Sequence, residues 1–234
     1  MRIFLVRHGE SLGNVDHAIH RTHADHAIPL SDEGHAQAER AGQFLRGWFM
    51  DNLSLKWNAQ TQTGPRLPRI WVSPYLRTRL TADGMAGALS YERAGRTLPL
   101  IRDRRENIAL CEQQFGLFDG IPDDELKSRF PEEHAHYAKQ EAFEGRFWAR
   151  MPMGESRWDV AIRVHQVFGT WIRDAEKHHI NDLVVVTHGV TLRCIVMRWL
   201  HLPVEWVEKE PNPKNCSIRL IEDGIDKGYI HPGG

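Results

Sequence analysis

Short apolar runs separated by amphipathic stretches dominate the hydrophobic pattern of the chain. Three runs have the length and composition of buried strands: Ile3–Val6, Ile70–Val72 and Leu183–Thr187. Stretches with apolar residues at helical spacing lie between and after these runs and predict helices. Strands that alternate with helices predict an α/β fold, here a three-layer sandwich with a mostly parallel central sheet flanked by helices.

The helix signals are strongest in four stretches. Ser31 is the predicted N-cap of a helix that reaches Trp48, and Pro74 suits the first turn of a helix that ends near Ala88. An amphipathic helix is expected over 160–171, and another helix over 190–200. Two polar helices, Pro122–Phe130 and Glu132–Phe147, fall in a helical insertion at about 119–150, which we expect to cap a single domain of residues 1–234.

The remaining segments carry weaker patterns. Leu98–Ile101 is a possible strand, and Cys216–Ile221 alternates enough to be a last, edge-like strand. Asn58–Pro68 is polar with Gly and Pro and predicts a loop. Arg102–Gly120 shows no clean period and is expected to be a functional loop, and the glycines from Asp223 onwards suggest a loose tail.

Composition narrows the class of partner. The 234 residues contain 30 Lys and Arg against 31 Asp and Glu, a formal net charge of -1, whereas nucleic acids and membrane surfaces reward a basic surplus. The three cysteines are odd in number and lack C-x-x-C spacing, as in a reduced cytoplasmic protein. No apolar stretch reaches membrane-spanning length, and the strand-like start leaves no room for a signal peptide. We expect a cytoplasmic protein whose partner is a small molecule, not nucleic acid or a membrane; its oligomeric state stays open.

Two His-Gly pairs, His8-Gly9 and His188-Gly189, directly follow predicted strands. The carboxyl ends of parallel strands are where open α/β sheets bind ligands. A neutral imidazole can attack phosphorus, and Arg7 disfavours the charged form of His8. Guanidinium groups bind phosphoryl oxygens through two parallel N–H groups. The two strand ends therefore predict a pocket for a phosphoryl group.

A second guanidinium is expected from the helix after the second strand. Arg77 lies one turn after that strand, whereas Arg79 points elsewhere on the helix, so we favour Arg77. Asn14 is a further, neutral donor candidate.

Three motifs together resemble the histidine phosphatase superfamily, which includes the cofactor-dependent phosphoglycerate mutases. They are R-H-G-E-S-x-x-x-N from Arg7, S-P-Y-x-R-T-R-x-T-A from Ser73 and T-H-G from Thr187, and the resemblance runs from Arg2 to about Ile218. It implies a phosphohistidine intermediate on His8. The expected binding set for a small phosphorylated substrate is Arg7, Asn14, His23, Arg77, His188 and Gly189. We expect no metal and no other cofactor.

The resemblance also implies a carboxylic acid that protonates the leaving oxygen. Glu106 and Glu112 compete for this role, and only Glu112 precedes a short polar step and a Phe-Gly pair, in Glu112-Gln113-Gln114-Phe115-Gly116. We favour Glu112. The match of Gly154-Glu155-Ser156 to a family Gly-Glu-Ser is expected to be structural.

The loop after the first strand carries four histidines at every third position: His17, His20, His23 and His26. Their spacing would form one face of a helix, but Pro29 and the lack of an apolar stripe favour a loop. No persuasive set of further ligands accompanies them, although Asp16 and Asp25 lie nearby. We expect a pocket rim and not a metal site.

Two departures from the family pattern favour a phosphatase over a mutase. The mutases carry a Thr-Gly-Trp-like stretch before Pro-Leu-Ser, where this chain has His23-Ala24-Asp25, and the segment Phe118–Met153 is shorter than their insertion. We therefore expect a phosphomonoester hydrolase. The alternatives are mutase-type phosphotransfer and a non-catalytic phosphate-binding module, which the presence of both a nucleophile and an acid disfavours.

Overall fold

A computed structural model describes residues 1–52 and 66–234, so most of the predicted loop Asn58–Pro68 lies outside the described residues. The strands are β1 Arg2–Arg7, β2 Arg69–Val72, β3 Ser90–Arg93, β4 Arg96–Pro99, β5 Arg104–Glu106, β6 Asp182–Thr187, β7 Ile218–Glu222 and β8 Ile225–His231. The α-helices are α1 Leu12–Val15, α2 Asp32–Asn52, α3 Leu76–Ala88, α4 Asp123–Arg129, α5 Pro131–Glu144, α6 Arg157–His178, α7 Gly189–Trp199 and α8 Val204–Lys209.

The central sheet has the strand order β5-β2-β6-β1-β7-β8 within the described part of the chain. Strands β5, β2, β6 and β1 run parallel, and β7 and β8 are antiparallel additions at one side. Arg7 at the end of β1 pairs with Thr187 at the end of β6. The next residues of the two strands, His8 and His188, therefore leave the sheet side by side.

The three-layer arrangement follows from the period of two along the strands. Ile3 and Leu5 pack into one core cluster with residues of α6 and α7, whereas Phe4 and Val6 pack into the other with residues of α2 and α3. Alternate side chains of a strand point to opposite faces of the sheet, and both faces of β1 are apolar, so both must be covered by helices. The predicted α/β sandwich with a mostly parallel sheet is confirmed.

The start of α2 lies against the end of β1 at very short range. A Cβ atom on Gly34 would stand 2.0 Å from the carbonyl oxygen of Glu10, and one on Gly9 would stand 2.5 Å from the carbonyl oxygen of Gly34. Ser31 Oγ accepts a hydrogen bond from the N–H of Gly34 at 3.0 Å, which confirms Ser31 as the N-cap of this helix. Because neither glycine carries a Cβ atom, the start of α2 can pack closely against the loop that follows β1.

Both polar helices expected in the insertion form, as α4 and α5. They share a small apolar cluster of Phe118, Leu126 and Met151, separate from the two clusters beside the sheet. Within the described residues, we find no helix whose length and apolar content would let it cross a bilayer.

Several weaker expectations need correction. Pro74 precedes α3, whose N-cap is Tyr75. The strand expected at Leu98–Ile101 is β4, which pairs with β3 in a two-stranded hairpin separate from the central sheet. The predicted loose tail is wrong, because residues from Ile225 form β8 and cover β7, which is therefore not an edge strand. Strand β8 exposes many of its side chains, so its sequence lacks a clear apolar period.

Candidate active site

His8 lies at the end of β1 with its backbone held from two sides. Its N–H donates to the carbonyl oxygen of Thr187 at 2.9 Å, and its carbonyl oxygen accepts from Asn215 Nδ2 at 3.0 Å. Ring atom Nδ1 lies 2.7 Å from the carbonyl oxygen of Gly9. A carbonyl can only accept, so Nδ1 carries the proton and Nε2 carries the lone pair. This answers which acceptor fixes the tautomer, a point on which the sequence is silent.

The environment of His8 keeps its ring neutral. Burial lowers the pKa of His8 well below its ordinary value, and the nearby positive charges of Arg77 and Arg7 lower it further. The residue keeps only 4% of its surface exposed. A neutral imidazole with a free Nε2 is the form that can act as a nucleophile.

Arg7 and Arg77 are anchored through their Nη groups. Arg7 Nη1 donates to the carbonyl oxygen of Pro213 at 2.6 Å, and its Nε is buried without a hydrogen-bond partner among the described residues. Arg77 Nη1 and Nη2 donate to the two carboxylate oxygens of Asp25 at 2.9 and 3.1 Å. Each guanidinium lowers the pKa of His8, so both positive charges lie close to its ring. Two like charges beside one another suit an anion between them.

His188 brings a second imidazole to the same place. Its ring centroid lies 5.2 Å from that of His8 and 5.0 Å from that of Tyr75. Its Nε2 lies 2.9 Å from Ser73 Oγ, while its Nδ1 is buried and has no partner within the described part of the chain. Burial is the main reason that the pKa of His188 is lowered well below its ordinary value, and Arg77 and His8 contribute. The residue can donate through Nδ1 if Ser73 donates to Nε2.

Glu112 is bound by the first turn of α7. Its Oε2 accepts from the N–H of Val190 at 3.2 Å, and its Oε1 accepts from the N–H of Thr191 at 3.2 Å. The Thr191 hydroxyl donates to the carbonyl oxygen of Cys111 at 2.6 Å and lies 3.2 Å from Oε1. Free N–H groups at a helix N-terminus are suited to a carboxylate. The Glu112 charge acts directly on Arg7, which places the carboxylate beside the pocket.

Glu106 is bound elsewhere. It ends β5 and is exposed, and its Oε2 accepts from Arg79 Nη2 at 2.6 Å. The structure therefore separates the two candidate acids, and it pairs Arg79 with Glu106.

The residues that converge at the ends of β1, β2 and β6 come from three distant parts of the sequence. The model of the histidine phosphatase superfamily (branch 1) matches residues 3–230. The chain belongs to this superfamily.

Two curated relatives of this superfamily member carry mutase-like names. The chain is 34% identical over 242 residues to the phosphoglycerate mutase-like protein AT74H of Arabidopsis thaliana, covering 97% of this chain and 76% of that protein. It is 37% identical over 236 residues to AT74 of the same plant, covering 97% and 66%. The chain thus spans less than two thirds of AT74, so the activity of that whole protein is not ascribed to this chain.

Similar solved structures carry phosphatase names. The α-ribazole phosphatase of Shigella flexneri gives a TM-score of 0.67 at 19% identity, covering 99% of this chain and 96% of that chain. A mycobacterial glucosyl-3-phosphoglycerate phosphatase in complex with VO3 gives 0.65 at 22% identity, covering 94% and 90%. At these identities the likeness establishes the fold of the superfamily.

The other predicted binding residues, Asn14, Gly189 and His23, make different contacts. Asn14 Oδ1 accepts from Asn215 Nδ2 at 3.2 Å, the same amide that binds the His8 carbonyl oxygen, so Asn14 lies beside the pocket. Gly189 opens α7, and a Cβ atom there would stand 2.2 Å from Asn212 Oδ1. His23 is exposed and its Nδ1 contacts the neighbouring Thr22 hydroxyl at 2.9 Å.

The histidine-rich loop folds into short 3-10 turns, His17–Arg21 and Asp25–Ala27. His17 and His20 stack with centroids 6.2 Å apart. Within the described residues, no group of three or more His, Cys, Asp and Glu side chains is arranged to hold a metal ion. The loop closes one side of the pocket, because Asp25 binds Arg77.

Three contacts at the site lack a clear sequence signal: Asp25 on Arg77, Ser73 on His188 and Thr191 on Glu112. Ser73 and Thr191 fall within or beside recognised motifs, which is the signal that could have found them. Glu155, expected to be structural, forms an ion pair with Arg163 at 2.8 Å, and Arg163 also donates to the backbone of Glu112 at 3.0 Å. It thus supports the segment that carries the candidate acid.

Proposed function

We propose that this protein is a phosphomonoester hydrolase that forms a phosphohistidine on His8 and uses Glu112 as the general acid. One observation carries the proposal. Beside the neutral ring of His8, two nitrogen donors, Arg7 Nε and His188 Nδ1, are buried without partners among the described residues. A buried donor without a partner costs about 1–3 kcal/mol, and a phosphoryl group would supply the missing acceptor oxygens.

In the first step the lone pair of His8 Nε2 attacks phosphorus and the bond from phosphorus to the leaving oxygen breaks. The Nδ1–H of His8 donates to the carbonyl oxygen of Gly9, which holds the ring in place and stabilises the positive charge that develops on it. The forks of Arg7 and Arg77 and the N–H of His188 bind the equatorial oxygens, where the negative charge is spread. The proton needed by the leaving oxygen comes from Glu112, which becomes a carboxylate.

Oε2 is the oxygen of Glu112 best placed to hold that proton. It accepts one hydrogen bond, from the N–H of Val190, whereas Oε1 accepts two, from the N–H of Thr191 at 3.2 Å and from the N–H of Gln113 at 3.0 Å. In the second step the Glu112 carboxylate takes a proton from water, the hydroxide oxygen attacks phosphorus and the bond to Nε2 breaks. Inorganic phosphate leaves, and both His8 and Glu112 return to their initial states.

Hydrolysis is favoured over mutase-type phosphotransfer by the position of Asp25. The family's mutases have a Thr-Gly-Trp-like stretch in this region, whereas here a carboxylate binds Arg77 and adds negative charge at the pocket. A mutase must retain a substrate that carries a second anionic group. Two of the structural neighbours are named as phosphatases, which supports the same choice.

The test is to trap the intermediate and to identify the product. Wild-type protein mixed with p-nitrophenyl phosphate and quenched in alkali should carry one phosphoryl group on His8 by peptide mass spectrometry. His8→Ala should lose this label and at least 1000-fold of the turnover, while His35→Ala, an exposed histidine on α2, should keep both. Incubation with 3-phosphoglycerate and 2,3-bisphosphoglycerate should form no 2-phosphoglycerate, and any reaction should release inorganic phosphate. A label on another residue would contradict the proposal.

Two finer points belong to the proposal. The chemistry needs no metal ion, because two guanidinium groups supply the positive charge. A cytoplasmic location is supported by the three cysteines Cys111, Cys194 and Cys216, all of which are free thiols and buried.

A further inference from the structure

Asp25 occupies one edge of the Arg77 guanidinium. Its Oδ1 and Oδ2 accept from Nη1 and Nη2 at 2.9 and 3.1 Å, and its backbone carbonyl oxygen accepts from Nη1 at 2.6 Å. The side chains are 17% and 7% exposed, so this ion pair is well shielded from water. Asp25 therefore takes the edge formed by Nη1 and Nη2, and the edge formed by Nε and Nη2 is the one that can bind a phosphoryl group.

The same contact puts a fixed negative charge beside the pocket. His20 Nδ1 lies 3.7 Å from Asp25 Oδ1, and a second carboxylate, Asp119, is close enough for Asp25 to raise its pKa, although burial is the larger cause. Arg77 also acts on Asp119. Two acidic side chains, Asp25 and Asp119, thus lie on the Arg77 side of the site.

We propose that Asp25 is a specificity-determining residue, which anchors Arg77 for the phosphoryl group and selects against substrates whose leaving group carries a second anionic group. The inference rests on the proposed function, because it assumes that the phosphoryl group binds between Arg7 and Arg77. The favoured substrates are phosphomonoesters of neutral or cationic alcohols.

The selection arises because the charge of Asp25 acts on the leaving group over a short distance. A carboxylate two or three bonds from the phosphoryl group would lie within several ångströms of Asp25, in a site largely shielded from water. Repulsion between like charges there is large enough to change affinity about tenfold. A hydroxyl at the same position carries no such repulsion and can donate to the Asp25 carboxylate.

The test compares two ligands with one carbon skeleton. Glycerol 3-phosphate has a hydroxymethyl group where 3-phosphoglycerate has a carboxylate. Their dissociation constants are measured by calorimetry in the full-length His8→Ala protein, which cannot turn them over by the proposed route. Adding Asp25→Asn should shift the ratio of the two constants about tenfold in favour of 3-phosphoglycerate. The ratio cancels any loss of phosphate affinity that both ligands share.

Three variants complete the design. Asp25→Glu keeps the charge, so it should weaken both ligands and leave their ratio within twofold of that of the parent. Asp123→Asn removes a carboxylate from a neighbouring cavity of about 590 Å³ that His17 and Asp119 also line, and it should leave the ratio unchanged. Asp25→Ser takes the place of Asp25→Asn, with the same expected shift, if the thermal melt shows that Asp25→Asn is unfolded.

The contrary results are distinct. An unchanged ratio in folded Asp25→Asn would overturn the inference, as would an equal shift in Asp123→Asn, which would show a general effect of surface charge. Failure of the wild-type protein to hydrolyse p-nitrophenyl phosphate would contradict the proposed function alone, because the binding ratio is measured without turnover.

Discussion

His8 and His188 face each other edge to face, with ring centroids 5.2 Å apart, at the ends of two adjacent parallel strands. The registry of β1 with β6 places them there, and the positive charges of Arg7 and Arg77 act on both rings. A second proton on either ring would add a positive charge to a buried, already positive site. The folded protein therefore keeps both histidines neutral.

This arrangement predicts that stability falls as the pH falls below about 6.5, where the unfolded chain begins to protonate its histidines. Both folded pKa values are lowered, so the unfolded state binds more protons in this window and the folded state does not. Each histidine should contribute about 1.4 kcal/mol per pH unit to the loss, until the pH reaches its folded pKa. Above about pH 7 neither contributes.

The measurement is the free energy of urea unfolding at pH values between 5 and 8. His188→Asn should remove about half of the part of the slope that the two histidines cause, while the exposed His35→Asn should leave the slope unchanged. Equal slopes in wild type and His188→Asn would mean that His188 is protonated in the folded state.

The contrast between Glu112 and Glu106 predicts different effects on different leaving groups. Glu112→Gln should lower kcat/KM for an alkyl phosphate such as glycerol 3-phosphate by about 100-fold or more, because an alkoxide needs a proton to leave. For p-nitrophenyl phosphate, whose leaving group needs little protonation, the loss should be less than about tenfold. Glu106→Gln breaks only the exposed contact with Arg79 and should change neither rate by more than about twofold. Equal losses on both esters in Glu112→Gln would remove Glu112 from the role of acid.

The catalytic strands and their ends could be predicted from the sequence because the signal is local. An apolar β-branched run followed by His-Gly places His8 and His188 at strand ends, and parallel strands bring such ends to one edge of the sheet. Strand β8 was missed because none of its residues is fully buried and its sequence carries no apolar period. Helix α8 was missed because its six residues span less than two turns.

The contacts that anchor the site residues could not be predicted from the sequence, for a different reason. The Asp25–Arg77 pair joins residues 52 positions apart, and although Asp25 falls where the sequence departs from the mutase pattern, nothing in the sequence indicates Arg77 as its partner. The acceptor for His8 Nδ1 is the backbone carbonyl of Gly9, a group that every residue possesses. Contacts of this kind depend on the tertiary fold, so a local sequence pattern does not predict them.

Resistance to chelators is the expected outcome if the guanidinium groups alone supply the positive charge. Activity toward p-nitrophenyl phosphate should stay within about 20% of its initial value after incubation with 5 mM EDTA and gel filtration. Among the histidines of the loop, His20 lies beside Asp25, with its Nδ1 3.7 Å from Asp25 Oδ1, so His20→Ala serves as the matched variant. It should also be insensitive to EDTA. A loss of activity that Zn²⁺ restores in wild type but not in His20→Ala would assign a metal to this loop.

The unpartnered donors at Arg7 and His188 predict that tetrahedral oxyanions stabilise the fold. Inorganic phosphate binds only the folded state, so a concentration of 100 times its dissociation constant should raise the free energy of unfolding by about 2.7 kcal/mol, seen as a higher Tm. Arg7→Lys keeps the charge but loses the planar fork and the Nε–H, so its Tm should rise much less at the same phosphate concentration. Arg79→Lys changes an exposed arginine that is paired with Glu106, and its response should match that of the wild type. Equal responses in Arg7→Lys and Arg79→Lys would show that phosphate binds outside the pocket, and the two orphaned nitrogens would then need another explanation.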